Sequence, residues 1–372
     1  MTLASIDDFA LERWFARWEF AVRHQLSASD VEPYTLNELL PLADADARHR
    51  WDRLSLGYTE SSGLPALREA IASLYERLTS DDILVVAGAE EGIFLLTHAL
   101  LAPGDSAVVV TPAYQSLHAL PEALGARVHA VSLRHEERWQ LDPDAVAAAM
   151  DRTTRLVTIN FPHNPTGAHI TRDVLRRLLA AAEAAGATLW SDEVYRGLEA
   201  DAAAQLPAAA DLSERAVSLG VMSKSFALPG LRIGWLATRN RDLLSRVARL
   251  KDYTTICSSA PSEVLALIAL RARDAVLRRS RDIVAANRRA AAAFFADHAR
   301  VADWVPAAAG STAFPRLPGR DTDAVAARLI EQHSTLMVPG RVFGADAAHF
   351  RLGLGRRDLP AALANLSATL AA

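Results

Sequence analysis

Cysteine is nearly absent. Cys257 is the only one in 372 residues, which excludes an intramolecular disulfide and a cysteine-cluster metal site. A basic excess is missing as well. The formal net charge is −4, so no surplus of cations exists to neutralise nucleic-acid phosphates, and no nucleic-acid partner is expected. No run of 18 apolar residues occurs, and Asp7, Asp8, Glu12 and Glu19 punctuate the first 20 positions. That pattern argues against a membrane span and against a signal peptide. The eleven histidines show no ligand spacing, so no metal is expected. What remains, at 51% hydrophobic and 23% charged residues, is the composition of a globular cytoplasmic chain long enough for two domains.

Lysine is the most informative scarcity. Of 40 basic residues only Lys224 and Lys251 are lysines; the other 38 are arginines. Such bias places Arg wherever a plain cation will serve. A lysine that persists is then either a chance survivor or a residue whose amine must deprotonate or form a Schiff base, which guanidinium cannot do. The neighbouring residues decide between the two.

From 83 to 237, short apolar runs alternate with helical stretches. Segments 83–87, 107–111, 128–133, 156–160, 188–191, 216–220 and 233–237 read as strands, with helical periodicity at 91–101 and 173–185 among the stretches between. Apolar runs without alternation predict burial on both faces. The fold class is therefore α/β, with a large domain built on a mainly parallel seven-stranded sheet covered by helices. Residues 238–300 read as helical, and the short strands and helices beyond 300 predict a smaller α/β domain. The expected division is an N-terminal arm and part of the small domain at 1–50, a large domain at 51–265, and a C-terminal small domain at 266–372. No internal repeat, low-complexity linker or charge block interrupts the chain.

Ligands of open α/β sheets bind outside the carboxyl ends of the strands. Here those ends carry Gly88-Ala89-Glu90, Thr111-Pro112-Ala113-Tyr114, the stretch from Asn160 to Gly167, Ser191-Asp192-Glu193-Val194-Tyr195, and the stretch from Gly220 to Lys224. None is a Walker loop or a dinucleotide fingerprint, so the expected phosphate ligand is mononucleotide-sized. The strongest segment runs from Ser223-Lys224 through Pro229-Gly230-Leu231-Arg232 to Gly234-Trp235, and it contains one of the two lysines.

Asn164-Pro165-Thr166-Gly167, Asp192, Tyr195, Lys224 and Arg232, in that order, resemble the class I/II aminotransferases, the fold-type-I enzymes that use pyridoxal 5′-phosphate. The resemblance covers nearly the whole chain, and it implies the site. Lys224 would form the Schiff base with the cofactor and then act as general acid and base. Asp192 would face the pyridine nitrogen and keep it protonated. Asn164 and Tyr195 would hydrogen-bond the phenolic oxygen, and Tyr114 would stack on the ring. The phosphate would rest on the amides of Ala89 and Glu90 at a helix N-terminus, on Arg232, and on Tyr58 donated by a neighbouring subunit, with Ser223 a further cofactor contact. Arg351, in His349-Phe350-Arg351-Leu352-Gly353, would grip the substrate α-carboxylate together with Asn164. The resemblance thus implies a homodimer acting on an amino acid and a 2-oxo acid.

Two positions depart from the family pattern. Val221 stands where many relatives have a phosphate-binding hydroxyl, and Glu90 replaces a small or hydroxylic residue, so its carboxylate is expected to turn away from the phosphate. His163 is expected to be a loop hydrogen-bonder.

Three further segments, 26–38, 161–168 and 338–344, are similar to a branch of the family that includes capreomycidine synthase. That enzyme cyclises a hydroxylated arginine by elimination and ring closure, without net transamination. The N-terminal segment lacks the glycine-containing loop that many aminotransferases place over the substrate. It offers Ser29, Glu32 and Thr35 instead, either as substrate contacts or as caps and turn residues. Transamination is the first expectation and elimination or cyclisation the second. A ligand-sensing regulator is a remote third, because the segment before Tyr58 reads as too short for a DNA-binding module.

Overall fold

The computed structural model describes residues 6–371. Its centre is a sheet of seven strands: β1 (Ile83–Val86), β2 (Ser106–Thr111), β3 (Arg127–Ser132), β4 (Thr154–Asn160), β5 (Thr188–Asp192), β6 (Ala216–Val221) and β7 (Gly234–Ala237). Their spatial order is β1-β7-β6-β5-β4-β2-β3. Only β7 runs antiparallel to its neighbours β1 and β6; the remaining pairs are parallel. All seven expected strands are present, with boundaries within two residues of the sequence reading. The reason is burial. Every residue of β1, β6 and β7 is buried, so those strands had to be apolar throughout. The edge strand β3 is instead part-exposed along its length and carries Arg127 and His129.

Helices cover both faces. Helix α1 (Ala10–Trp18) precedes the sheet. Helix α2 (Gly88–Leu100) follows β1 and puts Ile93, Leu95 and Leu96 into the same core cluster as Leu219 and Leu236. It starts three residues earlier than its periodicity predicts, which brings Ala89 and Glu90 into the first turn. On the opposite face, α3 (Arg172–Ala185) buries Leu175, Leu178, Leu179 and Ala182 against the face that holds Val157 and Leu189. Those positions recur at the helical repeat, and Thr171 accepts the Val174 amide as N-cap, a contact worth about 1 kcal/mol.

The 25-residue helix α4 (Arg273–Asp297) leads to a second, smaller sheet. There β8 (Thr312–Ala313), β9 (Val338–Pro339) and β10 (Phe350–Gly353) lie in the order β9-β10-β8, all antiparallel. The N-terminal stretch joins this unit, since His24–Gln25 pairs in parallel with Thr335–Leu336. No helix among the described residues is long and apolar enough to cross a membrane.

The topology fixes where a ligand can sit. β2 lies between β3 and β4, so the chain leaves β2 toward one side and returns on the other, opening a crevice at the carboxyl ends. The register levels the ends that matter. Asn160 pairs with Asp192, and Asp192 with Leu219, two residues before the end of β6.

Candidate active site

The two lysines have different surroundings. Lys251 is buried, and its Nζ donates to the carbonyls of Ser61 and Ile256, so burial lowers its pKa while backbone oxygens hold it in place. Lys224 follows β6 at the crevice. Its Nζ donates to Ser29 Oγ at 2.8 Å and stands 5.9 Å from the centre of the Tyr195 ring. One lysine fastens a loop. The other is presented by a single hydroxyl at the end of the sheet.

Asp192 ends β5 at 5% exposure. Its Oδ1 accepts the Val194 amide at 3.2 Å, and no cation lies within ion-pair distance among the described residues. Burial therefore pushes its carboxyl up to about 7, with Lys224 acting in the opposite sense. Asn160, at the end of β4, fastens two loops at once. Its Nδ2 donates to the Asp192 carbonyl at 3.0 Å, and its Oδ1 accepts the Asn164 amide at 2.9 Å. The Asn164 side chain is then free to reach across the crevice, where its Oδ1 accepts from Arg351 at 3.3 Å.

Arg351 comes from β10 and is 1% exposed. Besides Asn164 it donates from Nε to the Ser27 carbonyl at 3.0 Å, while its remaining terminal nitrogen has no partner. The guanidinium lies 5.6 Å from the Phe15 ring and 5.2 Å from that of Phe343. Burial lowers its pKa. A buried guanidinium with an orphaned N–H pair is costly unless a ligand anion completes it.

A second cationic group stands at the start of α2. Gly88 has φ +82, and a Cβ there would lie 2.6 Å from an Arg232 guanidinium nitrogen. At Gly234 a Cβ would lie 2.8 Å from the Gly88 carbonyl carbon and 3.0 Å from the Ala89 nitrogen. Glycine at both positions lets strand, helix start and arginine converge. No side chain caps this end of α2. The Glu91 carboxylate instead folds back to accept the Ala87 amide at 2.5 Å. Glu90 is directed at Ser116, whose Oγ donates to it at 3.2 Å, and burial pushes its carboxyl up to about 7. Uncapped amides beside Arg232 make an anion cradle.

Tyr195 is buried, and Ser223 is buried beside Lys224. The Tyr114 hydroxyl donates to Glu12 at 3.0 Å, and its ring centre lies 4.9 Å from that of Phe9. His163 pairs with Thr166 at 2.8 Å, and its burial lowers its pKa to about 3, so it is neutral. Val221 is buried at the end of β6 and offers no hydroxyl. Tyr58 is not in its own chain's crevice at all, being 93% exposed.

Of the three N-terminal candidates only Ser29 reaches Lys224. Thr35 forms a capping box with Glu38, and Glu32 accepts the Arg357 amide at 3.2 Å. Thr35 thus belongs to local structure, while Glu32 fastens the N-terminal stretch to the C-terminal segment. The larger omission from the sequence reading is α1. It puts Glu12 on Tyr114 and Phe15 over Arg351, with its first amide capped by Gln115 at 2.9 Å. Among the described residues no cluster of histidine, cysteine and carboxylate side chains could hold a metal ion.

Comparison with known proteins gives this geometry a context. Residues 33–361 match the family model described as aminotransferase class I and II. Capreomycidine synthase of Streptomyces vinaceus is 34% identical, over 97% of this chain and 93% of its own length. The arginine–pyruvate transaminase AruH of Pseudomonas aeruginosa is 30% identical, over 80% of this chain and 77% of its own. Among solved structures, a PLP-dependent aminotransferase from Streptococcus suis superposes with a TM-score of 0.92 at 28% identity, covering 98% of both chains. The PLP-dependent cyclase OrfR superposes with a TM-score of 0.90 at 32% identity, covering 98% of this chain and 97% of its own.

The cofactor these comparisons indicate is pyridoxal 5′-phosphate, and the residues present fit it. The bare helix start with Arg232 suits a phosphate, the unpaired carboxyl of Asp192 suits a protonated ring nitrogen, and Lys224 suits the aldehyde. The convergence at Gly88 is directly testable. Gly88→Ala should displace Arg232 and weaken pyridoxal phosphate binding by about 10-fold or more, the scale of one charge-assisted hydrogen bond. Equilibrium titration of the apo variant, with circular dichroism to verify folding, measures this. Unchanged affinity in a folded variant would move the phosphate elsewhere.

Proposed function

The chain belongs to the aminotransferase class I and II family, and from that premise we propose that it interconverts an amino acid and its 2-oxo acid. The observation that carries this reading is the pairing of Lys224 with the orphaned terminal nitrogen of Arg351 at one crevice. A free amine and a buried, half-satisfied guanidinium are what an α-amino acid needs, one for chemistry at Cα and one for its carboxylate.

Pyridoxal phosphate, when bound, supplies an electron sink for the charge left when Cα loses its proton. The chain does the rest. Lys224 would take the proton from Cα and deliver it to the carbon on the far side of the substrate's nitrogen, the one that comes from the cofactor's aldehyde, with Ser29 orienting its amine. Arg351 binds the substrate carboxylate and fixes which Cα bond faces Lys224, and Asn164 holds that guanidinium in place. With the cofactor bound, Asp192 would hold the proton on the ring nitrogen, Asn164 and Tyr195 would serve the phenolic oxygen, and Tyr114 would serve the ring. The amides of Ala89 and Glu90, with Arg232, would hold the phosphate, and Ser223 would be a further cofactor contact. In this reading residues 51–265 form the cofactor-binding domain, while the first 50 residues and 266–372 bring Ser29 and Arg351 to it.

A second reading is favoured by the likeness to capreomycidine synthase along nearly the whole chain and to the cyclase OrfR. Elimination or cyclisation begins with the same proton abstraction by Lys224 and differs in requiring a leaving group farther along the side chain. A single-turnover screen of amino acids with the holoenzyme separates the two. Transamination predicts stoichiometric pyridoxamine phosphate and a 2-oxo acid, and Lys224→Ala should slow the step by at least ~10²–10⁴. A cyclic product or released ammonia, with the cofactor regenerated as pyridoxal phosphate, contradicts it and favours the second reading.

We also propose that the active unit is a homodimer in which Tyr58 completes the partner's phosphate site. Tyr58, Leu56 and Tyr253 are 93%, 83% and 90% exposed. Their segments are tied together by the Thr59 to Ser258 hydrogen bond and by Lys251. Large exposed side chains on a fastened surface mark an interface, and a two-fold axis would place one Tyr58 at each site. Mixing Tyr58→Phe chains with Lys224→Ala chains should restore one site with tight cofactor binding per heterodimer. Verified heterodimers without recovery, or a fully active monomer, refute the shared site.

A further inference from the structure

A cavity of about 290 Å³ lies between the ends of β5 and β6, the first turn of α4 and the turn that follows the Pro65–Ala72 helix. None of the residues assigned above to the cofactor or to the substrate carboxylate lines it. Its volume is that of a small-molecule pocket rather than of a packing void. A glycine fixes its apolar wall. Gly220 of β6 pairs with Trp235 of β7, and a Cβ at 220 would lie 2.3 Å from the indole ring. Without that Cβ the indole lies against the strand, where its Nε1 donates to the Tyr75 hydroxyl at 2.8 Å. Phe226 stands edge-on to the same ring, 6.3 Å between centres, and Leu277 of α4 lines the cavity as well.

Three arginines form the other wall. Arg196 donates to the carbonyls of Leu74 and Leu206, Arg281 to that of Gly197, and Arg273 to the Ser73 hydroxyl. These partners are all neutral, and no carboxylate stands within ion-pair distance of the three among the described residues. Two acids share the cavity. Glu193 is held by the Ala209 amide at 2.9 Å and the Ser218 hydroxyl at 2.7 Å, and burial raises its pKa. Asp274 is exposed to solvent. Guanidinium donors with no anion therefore face an aromatic and aliphatic surface across one cavity.

Val194 and Ser225 also line it, and the Ser225 hydroxyl donates to the Val194 carbonyl at 3.2 Å. The Val194 amide is the group that holds the Asp192 carboxyl, and Ser225 directly follows Lys224. An occupant would thus bear on the two segments that present the carboxyl and the amine to the crevice. We propose that this cavity is a regulatory site for a small carboxylate with a flat, apolar body. The arginines take the carboxylate, and the Trp235 wall takes the body.

The probe is indole-3-acetate, which has both features and no α-amino or oxo group to react. Calorimetric titration of the chain loaded with pyridoxal phosphate should show binding, and saturation should change the cofactor's absorbance. Arg196→Gln and the solvent-exposed Arg281→Gln should each weaken binding by about 10- to 100-fold, the size of a charge-assisted hydrogen bond. Leu277→Trp, which fills the cavity without removing a cation, should abolish it. Arg351→Gln, altered in the crevice alone, should leave it intact, with circular dichroism verifying that each variant is folded. Inorganic phosphate, which lacks the apolar body, should bind at least ~10-fold more weakly. The site is overturned by an absence of binding, or by an affinity unchanged in Arg281→Gln and Leu277→Trp. Binding lost only in Arg351→Gln, or phosphate binding as tight as that of indole-3-acetate, overturns it as well. Binding that leaves the cofactor's absorbance unchanged overturns the regulatory role.

Discussion

The structure depends on keeping two opposite charges buried and apart. Asp192 and Arg351 are each almost inaccessible, and each has bonding capacity that the chain does not fill. Left to themselves they would move together or be hydrated. The sheet prevents the first, because Asp192 is fixed in register between Asn160 and Leu219 while Arg351 is carried by a different sheet. Aromatic rings at Phe15 and Phe343 hinder the second. Unpaired burial is costly to stability. Here it leaves a carboxyl and a guanidinium directed at a crevice that also contains an amine.

Polar side chains fasten the loops around the crevice to one another. Asn160 ties the ends of β4 and β5, Asn164 ties the loop after β4 to β10, and Ser27 ties the N-terminal stretch to Arg351. The site is thus assembled across the interface between the large sheet and the small one. Movement of one against the other would open or close Arg351 relative to Lys224.

Much of this was legible in the chain. The seven strands could be read because burial on both faces forces unbroken apolar runs, and the crevice position of candidates such as Asn164, Asp192 and Lys224 could be read because they follow those runs. Glycine at 88 and 234 is explained by the approach of Arg232 and of the helix start. What escaped is non-local. Glu12 meets Tyr114 across 102 positions, and no periodicity in α1 announces that its polar side faces a crevice rather than water. Thr35 was ambiguous for a different reason. Its Thr-x-x-Glu spacing with Glu38 is the signature of a capping box, and the structure forms that box. Ser29 carries no such signature, and only the fold brings it the 195 positions to Lys224.

In the proposed reaction the buried carboxyl of Asp192 is the partner of a protonated ring nitrogen. Nitrogen-15 magnetic resonance of the chain loaded with ring-labelled pyridoxal phosphate tests it directly. The wild-type holoenzyme should show the shift of a protonated pyridine nitrogen. Asp192→Asn, which keeps the shape but cannot carry the negative charge, should bind the cofactor and show the shift of an unprotonated one. An unprotonated nitrogen in the wild type, or the same protonated signal in both proteins, would contradict the account.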